Sequence, residues 1–439
     1  MTGDRLLSVE EARSAVLAGA APVAEVERLT PEAALGRVLA EPAVAATSLP
    51  PWDNSAMDGY AIRAADTAGA GDEAPVRLRV IGEVPAGAAS DRRVEPGAAI
   101  RIATGAPVPA GADAVVPVEQ TTPLDASGLA GSRGRDATGP LPSAIRVHTV
   151  VRERGSIRQA GSDVVVGAEL LGTGSVVTAA AVALTAGAGI ETLAVRRRPI
   201  VAVLVTGDEV RGPGEALGPA GIPDANGPGL RSLVREAGAV VIDLGIARDA
   251  LEDVLARLRR GLAEADAVVV SGGVSVGPYD VVKLAFEAVG RVGLWRVAVQ
   301  PGKPFAFGHA QSGDRRVLLF GLPGNPVSSF VTFELFVRPV ILRLAGHRDL
   351  DRPADRGVLE EAVSKSPGRR GFQRVAALRG DDGSPSRDAK GRVRVRLAGG
   401  QGSHVMSALA AADALAVVPE SVDSLPAGAE VEIRWLYRG

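Results

Sequence analysis

Cysteine is absent from all 439 residues. That excludes disulfide scaffolds, Cys-ligated zinc, iron–sulfur centres and a thiol nucleophile. Any thiolate chemistry must be brought by a substrate. Aromatic residues make up only 3% of the chain, too few for the stacking platforms that grip single-stranded nucleic acid. An excess of charge of one sign is missing as well: 49 Lys plus Arg face 51 Asp plus Glu, for a net charge of -2. Such neutrality argues against a protein that coats nucleic acid, while leaving room for a local basic pocket. The first residues, MTGDRLLSVEEARSAV, contain no apolar leader core. The uncharged run from Leu170 to Ile190 is long enough to span a bilayer but is diluted by Gly172, Gly174, Gly187 and Gly189. It reads as a buried helix instead. A cytoplasmic protein without membrane or nucleic-acid partners is expected.

What is present is small and aliphatic: 46% of residues are hydrophobic, with 54 Gly and 30 Pro. The length fits about two to four domains. Ser8 and Glu11 form a capping box that opens a short amphipathic helix, and Thr30-Pro31 is expected to start a second. Residues 47–59, TSLPPWDNSAMDG, are turn-rich. From about 76 to 150 short β segments alternate with Pro and Gly, and 124–143 reads as a flexible surface insertion.

Between 199 and 345 the pattern changes to unalternating apolar strands interleaved with helices, among them PIVAVLVTG, AVVIDLGI and DAVVVSGG. That pattern predicts a mostly parallel sheet covered on both faces. After Gly346 the signal is all-β again, and a small C-terminal barrel or sandwich is expected from about 352. No solenoid-length repeat is visible.

Ligands of open α/β sheets bind beyond the carboxyl ends of the strands. There the sequence places Thr206-Gly207-Asp208-Glu209, Arg248-Asp249, Ser271-Gly272-Gly273-Val274-Ser275-Val276-Gly277 with Asp280 beyond, Gln300-Pro301-Gly302-Lys303-Pro304, and Leu322-Pro323-Gly324-Asn325-Pro326-Val327-Ser328. Glycine turns at helix entrances expose N–H groups suited to phosphate, and carboxylates suit Mg2+. A phosphorylated ligand with Mg2+ follows from this placement. Each piece also has a plainer reading: Asp249 with Glu252, or Asp280, could simply cap a helix, and Lys303 could be a solvated loop residue. Convergence at one sheet edge favours the functional reading.

Other motif matches fail. Gly273-Val274-Ser275-Val276-Gly277 fits a hydrolase elbow, but Gly277-Pro278 interrupts the helix that must follow the serine. Gly302-Lys303 lacks the upstream glycine of a Walker A loop, and Pro304 replaces its Ser/Thr. The four histidines show no zinc spacing and read as surface or structural residues.

Several long motifs occur in one order: PWDNSAMDGYA (51–61), RIATGAP (101–107), TGDE (206–209), SGGVSVG (271–277), PGKPFAFG (301–308) and GLPGNPVS (321–328). Together they resemble the molybdopterin molybdenumtransferases, the MoeA-type proteins related to the gephyrin E domain. The resemblance runs from about residue 8 to the end. It implies an elongated α/β plus β chain with four parts. These are a discontinuous linker and dimerisation domain of 8–46 and 151–182, a β-rich inserted domain of 47–150, a three-layer α/β molybdopterin-binding domain of 183–346, and a C-terminal β-barrel-like domain of 352–439. It implies Mg-dependent hydrolysis of adenylylated molybdopterin, with molybdate inserted into its dithiolene and AMP released. It also implies homodimers in which the β domain of one subunit faces the α/β domain of the other, and a molybdopterin adenylyltransferase as supplier of substrate. The dithiolene sulfurs on the pterin fit a protein without cysteine.

Carried over position by position, the resemblance places Asp58, Thr104, Asp163, Glu209, Asp249 and Asp280 in the catalytic cleft, with Glu209 and Asp280 toward the metal. Gly272, Gly273, Ser275, Pro323 and Pro326 are assigned to the pterin ligand, and Lys303, Ser328, Arg369 and Ser403 to molybdate. Two departures stand out: Gln300 where relatives often have lysine, and Gly371 where they have an acidic residue. Arg369 and Arg370 are adjacent, and either could face the site. The rival readings are a molybdopterin-binding paralogue or scaffold with reduced activity, and a nucleotide-dependent hydrolase without molybdenum.

Overall fold

The computed structural model describes residues 6–134, 139–273 and 281–437. Ser275 and Asp280 therefore lie outside the described residues. The central domain is built on a seven-stranded sheet. Its order is Leu6–Leu7, Gly290–Val297, Pro304–Ser312, Arg315–Leu322, Ala267–Ser271, Ile200–Thr206 and Val240–Ala247. All neighbours are parallel except around Pro304–Ser312, which runs antiparallel to both of its partners.

The strands Ile200–Thr206 and Ala267–Ser271 are almost wholly buried because helices cover both faces. Val254, Leu258 and Leu262 recur at helical spacing on Leu251–Glu264, and with Val282, Ala285 and Phe286 they pack on one face. Leu230, Leu233 and Val234 of Asn226–Glu236 cover the other, together with Phe333, Phe336 and Ile341. Each such fully buried side chain contributes about 1.5–3 kcal/mol relative to exposure. The result is the three-layer arrangement expected from the apolar strand runs.

The N-terminal helix Val9–Ala18 has its capping box, with Ser8 Oγ accepting from the Glu11 amide and Glu11 accepting from the Ser8 amide. The family resemblance implies that this helix belongs with the linker. Its Val9, Ala12 and Val16 instead complete the core of the central domain, because Leu6–Leu7 pairs at that sheet's edge. No helix follows Thr30-Pro31: residues 31–36 form turns, and Gly36 at φ 75° reverses the chain. Short ladders join Val26–Leu29 to Leu193–Arg196 and Ala43–Val44 to Glu169–Leu171, around a small core of Leu39, Val177 and Val195.

The run from Leu170 to Ile190 is not one helix. It ends the strand Glu169–Leu171, turns, and forms only Ala179–Gly187. Among the described residues no helix is long and apolar enough to cross a membrane.

The β-rich domain carries a six-stranded sheet from Gly59–Ile62 to Ala144–Val147. At the C-terminus Arg370–Ala377, Val393–Leu397, Ala354–Leu359, Glu430–Trp435 and Ala414–Val418 close into a barrel, because Ala414–Val418 pairs back with Arg370–Ala377. Val299–Gln300 leaves the central domain to add a parallel strand to this barrel. Charged contacts lock the junction: Arg352 forks onto the buried carboxylate of Glu334 at 3.0 and 2.9 Å, and Arg370 pairs with Glu10 and Glu420.

Candidate functional site

Four parallel strands end at one sheet edge, at Thr206, Ala247, Ser271 and Leu322, and Pro304–Ser312 starts there. The loops beyond them enclose an open cleft of about 900 Å3. Glu209, Asp249, Gly272, Gly273, Pro323 and Pro326 all line it, joined by Asp224, Asn226 and His404. Six positions expected at the sheet edge thus meet at one cavity.

Glycine at 272 is required by geometry. Its φ is 99°, and a Cβ there would lie 2.5 Å from the Thr206 carbonyl oxygen. Gly273, at φ 61°, is similarly pressed against Val282. The backbone can thus approach a ligand more closely than any side chain would permit. Asn226 ties the two neighbouring loops together, its Nδ2 donating to Ser271 Oγ at 2.9 Å and to the Gly324 carbonyl at 2.6 Å. Sequence reasoning missed Asn226, although Asn-Gly-Pro at a helix entrance is a turn signal.

Three carboxylates gather at the cleft's acidic side. The Asp208 amide donates to Asp249 Oδ2 at 3.4 Å, and the Asp249 amide donates to Asp208 Oδ1 at 3.2 Å. Burial, then the Asp208 and Glu209 charges, push the Asp249 carboxyl above its ordinary range against the pull of the Asp208 amide. Asp249 does not cap the following helix: Leu251–Glu264 has Ala250 at its N-cap, and Asp253 accepts from the Arg248 amide. The capping explanation for Asp249 is thereby removed. Among the described residues no group of three or more His, Asp or Glu is arranged to hold a metal ion. Glu209 and Asp249, the two of these carboxylates that line the cleft, still fit Mg2+, which takes one or two protein carboxylates and completes its shell with substrate phosphates and water.

Three family models cover the chain in order: the MoeA N-terminal region (domain I and II) over residues 7–189, a "probable molybdopterin binding domain" over 202–343, and the MoeA C-terminal region (domain IV) over 356–436. Molybdopterin molybdenumtransferase 2 of Mycobacterium tuberculosis (strain CDC 1551 / Oshkosh) is 38% identical over 406 residues, covering 91% of this chain and 92% of that protein. The chain belongs to the molybdopterin molybdenumtransferase family. The Haemophilus influenzae member is 33% identical over 98% of both chains. The crystal structure of a molybdopterin biosynthesis MoeA protein from Pyrococcus horikosii superposes with a TM-score of 0.79, at 30% identity, over 99% of this chain and all of that one.

The other positions assigned from the resemblance fall in two places. Lys303, Ser328, Arg369 and Ser403 are not among the residues that line the cleft; Ser328 lies in the helix Pro326–Thr332. Gly302 presses on Thr332 and Ser328, which seats the 300–303 segment against the helix Pro326–Thr332. The Ser403 carbonyl accepts from the Val327 amide at 3.1 Å, so this N–H is already engaged. Ser328 is buried, and Arg369 is half-buried with no ion pair among the described residues. Arg370 is held by Glu10 and Glu420, which leaves Arg369 as the unengaged member of the pair.

Gln300 and Gly371, the two positions expected from the resemblance to depart from the family pattern, are register partners. Gln300 Oε1 accepts from the Ser366 amide at 2.9 Å. The buried Lys365 lies over Gly371, where a Cβ would meet its Cδ at 2.8 Å. His404, expected as a surface or structural residue, lines the cleft because the barrel carries it there.

Asp58, Thr104 and Asp163 are not in this cleft. Asp58 Oδ1 accepts from both the Thr104 amide and its Oγ1, at 2.8 and 2.9 Å, and Asp58 lines a separate cavity of about 320 Å3 on the β-rich domain. Asp163 is exposed nearby, its amide donating to the Leu49 carbonyl.

Proposed function

We propose that this chain inserts molybdate into adenylylated molybdopterin, with hydrolysis of the adenylate and release of AMP and molybdenum cofactor. The observation that carries the proposal is that the carboxylates Glu209 and Asp249 and the Gly272-Gly273 turn line one cleft of about 900 Å3. A phosphoanhydride needs both charge neutralisation and close backbone approach. Mg2+ supplies that neutralisation when bound, with Glu209, Asp249 and, outside the described residues, Asp280 as its holders. The amides of Gly272 and Gly273, with Ser275 beyond, orient the phosphates. Pro323 and Pro326 shape the pterin wall, and Asn226 keeps it in register.

Molybdate, the second substrate, is a dianion whose desolvation must be offset by charge and hydrogen-bond donors. Lys303 and Arg369 bring the charge, and Ser328 and Ser403 bring hydroxyls. The Asp58–Thr104 pair and Asp163 complete the site from the partner subunit of a homodimer, across from Glu209. In the cell the protein works in the cytoplasm and receives its substrate from a molybdopterin adenylyltransferase.

The test mixes pure protein with adenylylated molybdopterin, Mg2+ and molybdate and follows AMP. Release that requires Mg2+ and rises with molybdate supports the reading. Release that ignores molybdate points to a plain hydrolase. Tight pterin binding without release points to a scaffold, the reading that Gln300 keeps open.

A further inference from the structure

Arg374 sits in the barrel strand Arg370–Ala377 and is only 1% exposed. A guanidinium so deep normally has a carboxylate partner, as Arg352 has in Glu334. Arg374 has none among the described residues. Its Nη2 donates to the carbonyls of Gly400 and Gly402 at 3.3 and 3.2 Å, and its buried Nε finds no partner there. Burial, with no opposing acid, pulls its pKa down to about 10.

The same residue grips the loop a second way. Its amide donates to Gln401 Oε1 at 2.9 Å, while Gln401 Nε2 donates back to the Arg374 carbonyl at 3.1 Å and to the Gly399 carbonyl at 2.8 Å. Gly399 is at φ 137°. Just beyond this clamp, the Ser403 carbonyl takes the Val327 amide and His404 lines the cleft. The loop 399–404 is therefore fastened to the barrel at one end and to the helix entrance of the central domain at the other.

We propose that Arg374 is a positioning residue for the oxyanion end of the site, setting the 399–404 loop so that Ser403 is held at the entrance of the helix Pro326–Thr332 and His404 is presented to the cleft. The guanidinium's charge, which the fold leaves without a counter-ion among the described residues, biases that end toward a bound anion. A buried cation held only by carbonyls is unfavourable by itself, and an anionic ligand placed across the loop supplies the missing negative charge. The identity of the anion as molybdate rests on the functional reading above. Arg374 acts through the loop and through its field.

The experiment uses the full chain and molybdate alone as probe, in equilibrium dialysis at fixed ionic strength, with thermal unfolding and AMP release measured alongside. Arg374→Met, which keeps volume and removes charge, should weaken molybdate binding about tenfold or more. Arg374→Lys should recover part of that loss, because it restores the charge without the fork. Gln401→Ala leaves the buried cation in place but removes three hydrogen bonds, so it should weaken molybdate binding and lower the unfolding temperature modestly, with the KM for adenylylated molybdopterin unchanged. If Arg374→Met fails to fold, Gln401→Ala and Arg374→Lys decide the question. Wild-type molybdate affinity in both of those, or no molybdate uptake by the wild type, overturns the proposal. Losses that fall equally on molybdate, pterin and unfolding temperature also overturn it, since a merely structural residue would give that pattern. A wild type that binds molybdate yet releases no AMP overturns the functional reading while the clamp, read by dialysis, stands.

Discussion

Asp208 and Asp249 hold each other by crossed hydrogen bonds, each backbone amide donating to the other's carboxylate. The two residues lie just beyond the ends of neighbouring parallel strands, so the contact joins two loops that are distant in sequence. It also gathers negative charge: Glu209 is the next residue, and Glu209 and Asp249 both line the cleft. Such an arrangement is unfavourable until a cation or a proton arrives, which makes it testable.

Removing the charge at position 249 should expose that conflict. Because the folded-state pKa of Asp249 is raised, its ionised form costs the fold, and stability falls as pH rises through the raised value. Below the ordinary aspartate range the cost is absent. Without metal, Asp249→Asn should therefore be more stable than wild type near pH 7 by no more than about 1 kcal/mol, since water screens a mostly exposed group. The advantage should vanish in acid, and Mg2+ should stabilise wild type more than the variant. Thermal unfolding from pH 4 to 8, with and without Mg2+, measures this; a variant less stable than wild type at neutral pH would refute it.

A site divided between subunits predicts complementation. Asp58→Ala and Glu209→Ala should each lower AMP release by roughly a hundredfold, the scale of losing one group that acts on transition-state charge. Mixed and allowed to exchange, the two inactive proteins should regain partial activity, because one interface of the heterodimer carries both intact residues. Confirmed exchange with no recovered activity would rule out the shared site.

Position 300 separates charge from local structure. Gln300→Lys removes the acceptor of the Ser366 amide and should lower stability by about 1 kcal/mol. The added ammonium should also lower the molybdate concentration for half-maximal AMP release, whereas Lys303→Ala should nearly abolish the molybdate response. An unchanged response in Lys303→Ala would move the anion elsewhere.

The junction of the central domain and barrel gives a prediction independent of chemistry. The Glu334 side chain is 4% exposed and receives both arms of Arg352. Glu334→Ala strands a buried guanidinium and should destabilise the protein by about 3 kcal/mol. Denaturant unfolding followed at the barrel should show an earlier transition; coincidence with wild type would mean that the pair contributes little.

The parts of the site legible in the sequence were those carried by strand ends. Unalternating apolar runs announce a parallel sheet, and a parallel sheet puts its loops at one edge. Periodicity and turn residues are therefore enough to group Glu209, Gly272, Gly273 and Pro326. Local signals did less well. Thr30-Pro31 looks like a helix start, yet Gly36 and the ladders around it make turns more favourable. Asp249 with Glu252 has the spacing of a cap, yet Asp253 takes the Arg248 amide and Asp249 turns to Asp208. Neither competition is visible in a short window of sequence.

The sequence alone determined the order of the motifs, the absence of any protein thiolate and the membership of the central strands in one sheet, because each depends on residue type or on periodicity along the chain. Tertiary structure decided everything that depends on meeting across distance. It sent Val9–Ala18 into the central core and brought His404 to the cleft from the far end of the chain. Among the described residues it also engaged Arg370 while leaving Arg369 without an ion pair, and buried Arg374 without an acid. These outcomes depend on which surfaces of separate domains pack together and which charges are then stripped of water, and burial of that kind is a property of the assembled chain.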